Sequence, residues 1–124
     1  MTTQTMQGVT KRSGAMGDVG LAVHDLPNAR AGYVVMEVAS VGLCGTDLHV
    51  YKNEYAANPP VILGHEVCGN VIEVGEGIDP ALVGKRFVSE TYYSTCQTCR
   101  YCREGRPNMC AVRKSIGSHV NGAM

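Results

Sequence analysis

"PPVILGHEVCGNVIEVGEG" occupies residues 59–77. Its two prolines and the apolar run behind them read as a loop entering a strand, and "VCGNVIEVGEGI" (67–78) reads as a valine- and isoleucine-rich strand that ends in a tight glycine turn. Downstream, "GKRFVSET" (84–91) reads as another strand. Upstream, "GYVVMEVASVGLCG" (32–45) alternates over Val34, Met36, Val38 and Ser40, which predicts a strand with one inward face that stops at Gly42 to Gly45. Further back, the glycine-rich "SGAMGDVG" (13–20) separates "MQGVT" (6–10) from "VGLAVHDL" (19–26), the pattern of a hairpin, and "LPNARAG" (26–32) closes its second strand. "TDLHVYKNEY" (46–55) supports one or two helical turns, because Thr46 or Asp47 can cap them. Short strands punctuated by glycine and proline, with no amphipathic helix of ten residues, predict a mainly β fold, a small barrel or sandwich. "KSIGSHVNGAM" (114–124) carries no terminating signal and reads as leading into another strand, so the chain looks cut rather than finished.

Composition narrows the function classes. A chain of 124 residues fits one domain that can bury about two thirds of its extended surface, so it has no need of cross-links to fold. Eleven basic and eleven acidic residues are mixed along the chain, which leaves no electrostatic footprint for nucleic acid or an anionic membrane. A small neutral or metal-bound partner is the better expectation. Neither the N-terminus nor any later segment has the apolar run of a leader or a membrane span, and the expected location is the cytoplasm.

Four of the six cysteines crowd into "YYSTCQTCRYCREGRPNMC" (92–110): Cys96, Cys99 and Cys102 at CxxCxxC spacing, then Cys110. In a reducing compartment clustered thiols are metal ligands or redox centres more often than disulfides. Four thiolates fill the tetrahedral sphere of zinc, and a CxxC turn lets two sulfurs converge while backbone amides approach them. The reading is a structural zinc that organises a lobe, about residues 92–114, without other secondary structure. An iron–sulfur cluster fits less well, because the bacterial spacing continues with three residues and a Cys-Pro pair, whereas Ala111 follows Cys110. Two disulfides lack an oxidising compartment, and a thioredoxin-like CxxC lacks its βαβ setting.

Cys44, His65 and Glu66 supply a thiolate, an imidazole and a carboxylate, the mixed set that suits a catalytic rather than a structural zinc. Singly each has an ordinary explanation: a small buried thiol, a hydrogen-bonded histidine, a solvated carboxylate. Their company shifts the balance, since "CGTDLH" (44–49) packs four chemically active side chains beside two glycines, and "GHE" (64–66) marks the junction of a proline loop with a buried strand. Cys68 reads as core packing.

"GLCGTDLHVY" (42–51), "GHEVCGNVIEVGEGI" (64–78), "VGKRF" (83–87) and the cysteine lobe, in that order, resemble the zinc-dependent medium-chain dehydrogenases, nearest the threonine, sorbitol and other polyol dehydrogenases, from about residue 17 onward. The resemblance implies that residues 1–124 are a truncated GroES-like β-barrel catalytic domain, with the Rossmann domain of the parent absent. It implies Cys44, His65 and Glu66 as ligands of a catalytic zinc, and Cys96, Cys99, Cys102 and Cys110 as ligands of a structural one. Thr46 falls where a hydroxyl receives the substrate proton, His49 where a relay passes it toward solvent, and Asp47 where a carboxylate orients the zinc-ligating imidazole. The implied reaction is hydride transfer to NAD or NADP from an alcohol or polyol held on zinc, in a homo-oligomeric parent. Lys85 stands where the family more often has an acidic residue, a surface change. No GxGxxG follows a strand, and "VGEGID" (74–79) is a turn, so the fragment alone is expected to bind no nucleotide and to turn over nothing. Two other readings remain: a non-enzymatic module with zinc only in the cysteine lobe, and a zinc-independent reductase, which the ligands present disfavour.

Overall fold

The computed structural model describes residues 4–124. β1 (Thr5–Lys11) and β2 (Val19–Asp25) form the expected hairpin, antiparallel from Thr5 opposite Asp25 to Lys11 opposite Val19. Its turn rests on Gly17, whose φ of 76° an L side chain rarely adopts, and on Asp18, which accepts from Arg12 Nε at 2.8 Å and Ser13 Oγ at 2.6 Å. β4 (Val61–Ile62) adds to the free edge of β1, giving a first sheet in the order β2-β1-β4.

The second sheet places β5 (Glu66–Val74) between β3 (Val34–Gly42) and β6 (Arg86–Val88). Between β3 and β4 lies helix α1 (Gly45–Tyr51). A third, two-stranded sheet of β7 (Tyr92–Ser94) and β8 (Lys114–Ser115) closes the base of the cysteine lobe, and stacking of Tyr33 on Tyr93, ring centroids 5.2 Å apart, ties that base to the start of β3. Val50 of α1, Val61 and Ile62 of β4, Leu63, and Val67 and Val71 of β5 are the main buried apolar residues. Each contributes about 1.5–3 kcal/mol by leaving water. Among the described residues no helix is long and apolar enough to cross a membrane.

Four expectations need correction. The strands lie in three separate sheets, so the barrel is not closed among the described residues. The inward face of β3 is not buried: Val34 is 37% and Val38 43% exposed, and Glu37 and Ala39 of the opposite face are exposed as well, so neither face of the middle of the strand is covered; irregularities between Val35 and Met36 and between Val38 and Ser40 also interrupt its alternation against β5. Cys68 is only half-buried rather than core; the two-residue period of β5 puts Val67 and Val71 inward and sends Cys68 to the face of Glu66. The cysteine lobe is not devoid of secondary structure, since helix α2 (Arg100–Arg103) and a 3₁₀ turn at Pro107–Met109 lie within it. The chain beyond β8 does extend the first sheet's hydrogen bonding: Gly122 N–H donates to Ile62 O at 2.7 Å, Met124 N–H to Leu63 O at 2.9 Å, and Val9 N–H to Met124 O at 2.8 Å.

Candidate metal centres

Antiparallel pairing of β3 with β5 ends at Gly42 opposite Glu66. Past that rung the two chains still run side by side, which brings Cys44, at the head of α1, to His65, just before β5. One donor atom each from Cys44, His65 and Glu66 lies within 4.8 Å of the others. Tetrahedral zinc asks for separations of about 3.3–3.8 Å between such donors, so modest side-chain rotation closes the set. Glycine at position 42 is part of the arrangement, because a Cβ there would overlap the Glu66 carboxylate. Gly64, at φ 90°, turns the chain so that His65 follows directly.

One buried carboxyl fastens both halves. Asp47, 3% exposed, sits in the first turn of α1, where an acidic side chain is stabilised by the free amides. Its Oδ2 accepts from Cys44 N–H at 2.8 Å, while Oδ1 accepts from Gly64 N–H at 3.4 Å and lies 3.6 Å from His65 Nδ1. Thr46 Oγ1 is 3.7 Å from Cys44 Sγ. Cys44, Thr46, His65 and Glu66 all line a cleft of about 280 Å³, together with Tyr55, Thr91, Arg113 and Ser118. His49 does not line it. Its exposed ring instead meets Glu54 Oε2 at 2.7 Å on the solvent side of α1, and no direct hydrogen bond to Thr46 forms among the described residues.

The second cluster is tighter. All four sulfurs of Cys96, Cys99, Cys102 and Cys110 lie within 4.8 Å of one another. Separations of 3.5 Å (Cys99 to Cys102), 3.6 Å (Cys96 to Cys110) and 3.9 Å (Cys96 to Cys102) bracket the roughly 3.8 Å edge of a tetrahedron with 2.3 Å zinc–sulfur bonds. The donor set and its spacing therefore fit zinc. Backbone amides supply part of the charge balance: Cys99 N–H points to Cys96 Sγ at 3.3 Å and Cys96 N–H to Cys110 Sγ at 3.5 Å. Without a cation the four thiols cannot all ionise together. The amides of Cys99 and then Thr98 pull the Cys96 thiol down to about 6, whereas burial and the neighbouring Cys99 thiol push Cys102 up to about 11.

The structure thus gathers six of the seven expected ligands without difficulty and the seventh, Glu66, in an exposed position. Thr91, Arg113 and Ser118 were not singled out from the sequence as cleft residues; no local spacing signals that the chain returns past the cysteine lobe to the cleft wall.

Residues 30–124 match the model of the alcohol dehydrogenase GroES-like domain. Over 123 residues, covering 98% of this chain and 35% of the relative, the sequence is 42% identical to a D-arabitol-phosphate dehydrogenase of Enterococcus avium. It is 40% identical to an L-threonine 3-dehydrogenase of Saccharopolyspora erythraea, over 95% of this chain and 35% of that one. The fold superposes with a TM-score of 0.88, at 32% identity, on the crystal structure of a candidate zinc-binding dehydrogenase from Sinorhizobium meliloti 1021 bound to NADP, covering 97% of this chain and 34% of that one. The chain therefore spans about a third of the length of these relatives, and it belongs to the family of alcohol dehydrogenase GroES-like domains.

Proposed function

We propose that this chain is the metal- and alcohol-binding part of an NAD(P)-dependent dehydrogenase acting on an alcohol, a polyol or a threonine-like substrate. The observation that carries the reading is the convergence of Cys44, His65 and Glu66 on one wall of a cleft, beside the Thr46 hydroxyl. Three protein donors leave a fourth position open, the arrangement of a catalytic rather than a structural zinc. Zinc held there supplies Lewis-acid polarisation of an alcohol oxygen, which lowers the pKa of the hydroxyl.

The chain's own residues do the rest. Asp47, turned toward His65 Nδ1, fixes the tautomer and leaves the opposite ring nitrogen for the metal. Thr46 Oγ1 takes the proton released by the alcohol. His49, solvent-facing and engaged by Glu54, delivers it to bulk water; since Thr46 and His49 do not touch, the link between them comes from a bound molecule or the rest of the parent. The four-cysteine lobe holds a second, structural zinc. The nicotinamide is bound outside these residues, so the 124-residue chain alone turns over no alcohol. Clustered thiols free of disulfides support a cytoplasmic setting and a small-molecule partner, and the balanced charge favours neither nucleic acid nor membrane.

Cobalt substitution tests the reading. Glycerol added to the cobalt-loaded chain is expected to shift the visible bands of one of two bound ions, and Cys44→Ser to abolish both that ion and the shift. A single ion, insensitive to glycerol and to Cys44→Ser, would point to a non-enzymatic zinc module instead.

A further inference from the structure

Arg113 lines the same cleft as Cys44, Thr46, His65 and Glu66. Its exposed side chain donates from Nη1 to Asn108 O at 2.6 Å, which anchors one end of the guanidinium to the cysteine lobe. It forms no ion pair among the described residues. A guanidinium carries five N–H donors in a planar fork, so most of its capacity is unspent. A divalent ion on an anionic Cys44, an anionic Glu66 and a neutral His65 would leave that wall formally neutral, and the further carboxylate of the lining, Asp47, is buried with its oxygens accepting from the amides of Cys44 and Gly64. Among the described residues Arg113 is the one Lys or Arg in the lining of this small cleft, and its charge is exposed where that of Asp47 is buried; the hydroxyls of Thr46, Tyr55, Thr91, Ser115 and Ser118 line it as well.

We infer that the substrate is an alcohol bearing a phosphate or a carboxylate, and that Arg113 is the specificity-determining residue that binds this anion while the hydroxyl lies by Thr46. The inference rests on the cleft being the alcohol site. A planar guanidinium meets either oxyanion through two parallel N–H···O bonds, a recognition that a neutral polyol cannot offer. Binding of the anion leaves the Arg113–Asn108 bond in place, so the lobe is not disturbed.

The zinc-loaded chain, titrated by amide NMR with glycerol 3-phosphate, 3-hydroxybutyrate and glycerol, tests this. At least one of the two anions is expected to bind tenfold or more tightly than glycerol, and which one does identifies the oxyanion. Arg113→Gln is expected to bring that anion to within about twofold of glycerol at unchanged zinc content. Arg113→Lys, which keeps the charge and drops the fork, retains part of the preference, and 0.5 M salt weakens the anion alone. No anion preference in the native chain overturns the inference. So does an anion affinity that survives Arg113→Gln, because the anion then sits on the metal or elsewhere. Should Arg113→Gln lose zinc, a preference untouched by both Arg113→Lys and salt is the overturning result. The underlying reading fails separately, by Cys44→Ser leaving the zinc content unchanged.

Discussion

Asp47→Asn separates the two metal centres. The substitution keeps the size of the side chain, and its remaining oxygen can still accept from Cys44 N–H, now at 2.8 Å without the help of a charge. The new amide group must then face Gly64 N–H, 3.4 Å from the present Oδ1, and His65 Nδ1, 3.6 Å from it, donor against donor. A charge-assisted hydrogen bond is worth about 1.5–3 kcal/mol and a neutral one about 1, and a buried amide left without an acceptor costs about 1–3. The Gly64 bond is long, so the low end applies and the chain should lose about 2 kcal/mol in urea unfolding. Loss of the group that orients a metal-ligating histidine costs 10- to 100-fold in metal affinity. Competition with a chromophoric chelator should show that loss in one zinc per chain while the other, in the cysteine lobe, keeps its affinity. Equal weakening of both ions, or of neither, would refute the role given to Asp47.

Other perturbations probe different parts. Cys110→Ser should remove the lobe's zinc and collapse the amide dispersion of residues 92–114, because in such a lobe metal binding supplies the folding free energy; a dispersed spectrum with no zinc would contradict it. Gly42→Ala pushes a methyl group against the flexible end of Glu66, so it should weaken the zinc of the Cys44 site in a chelator titration with less than about 1 kcal/mol lost in stability. Ser13 first, and then Arg12, hold the Asp18 carboxyl below the usual carboxylate range. A depressed pKa means the hairpin's extra stability is present above the ordinary carboxylate pKa of about 3.9 and is lost as pH falls through the folded value. A carbon-13 NMR titration should find Asp18 ionising below the usual carboxylate range, and Ser13→Ala should return it toward that range.

Legibility in the sequence followed the range of the interactions. The hairpin around Gly17 and the helix at Gly45–Tyr51 are set by residues next to one another in the chain, and both were visible, although the helix is capped at Cys44, with Asp47 in its first turn accepting from the Cys44 amide, and not at Thr46 or Asp47 as expected. Convergence of Cys96, Cys99 and Cys102 was visible for the same reason, since a three-residue spacing acts within one turn. Burial on β3 was not, because alternation along one strand does not tell whether another layer covers it, and among the described residues both of its faces carry exposed side chains. The partnership of Cys44 with His65 and Glu66 was suggested by residue chemistry and by family resemblance; its physical cause, the Gly42–Glu66 rung, is a contact across 24 residues that no local pattern encodes. Arg113 and Ser118 reach the cleft only because the chain doubles back through β8, and nothing near them in sequence announces it.

An anomalous difference map at the zinc edge, from crystals of the zinc-loaded chain, bears most directly on the two-centre claim. The expected result is two peaks per chain, one surrounded by four sulfurs at about 2.3 Å and the other by one sulfur, one nitrogen and one carboxylate oxygen with a solvent-facing side. A lone peak in the cysteine lobe, with Cys44, His65 and Glu66 bonded to protein or water instead, would contradict it.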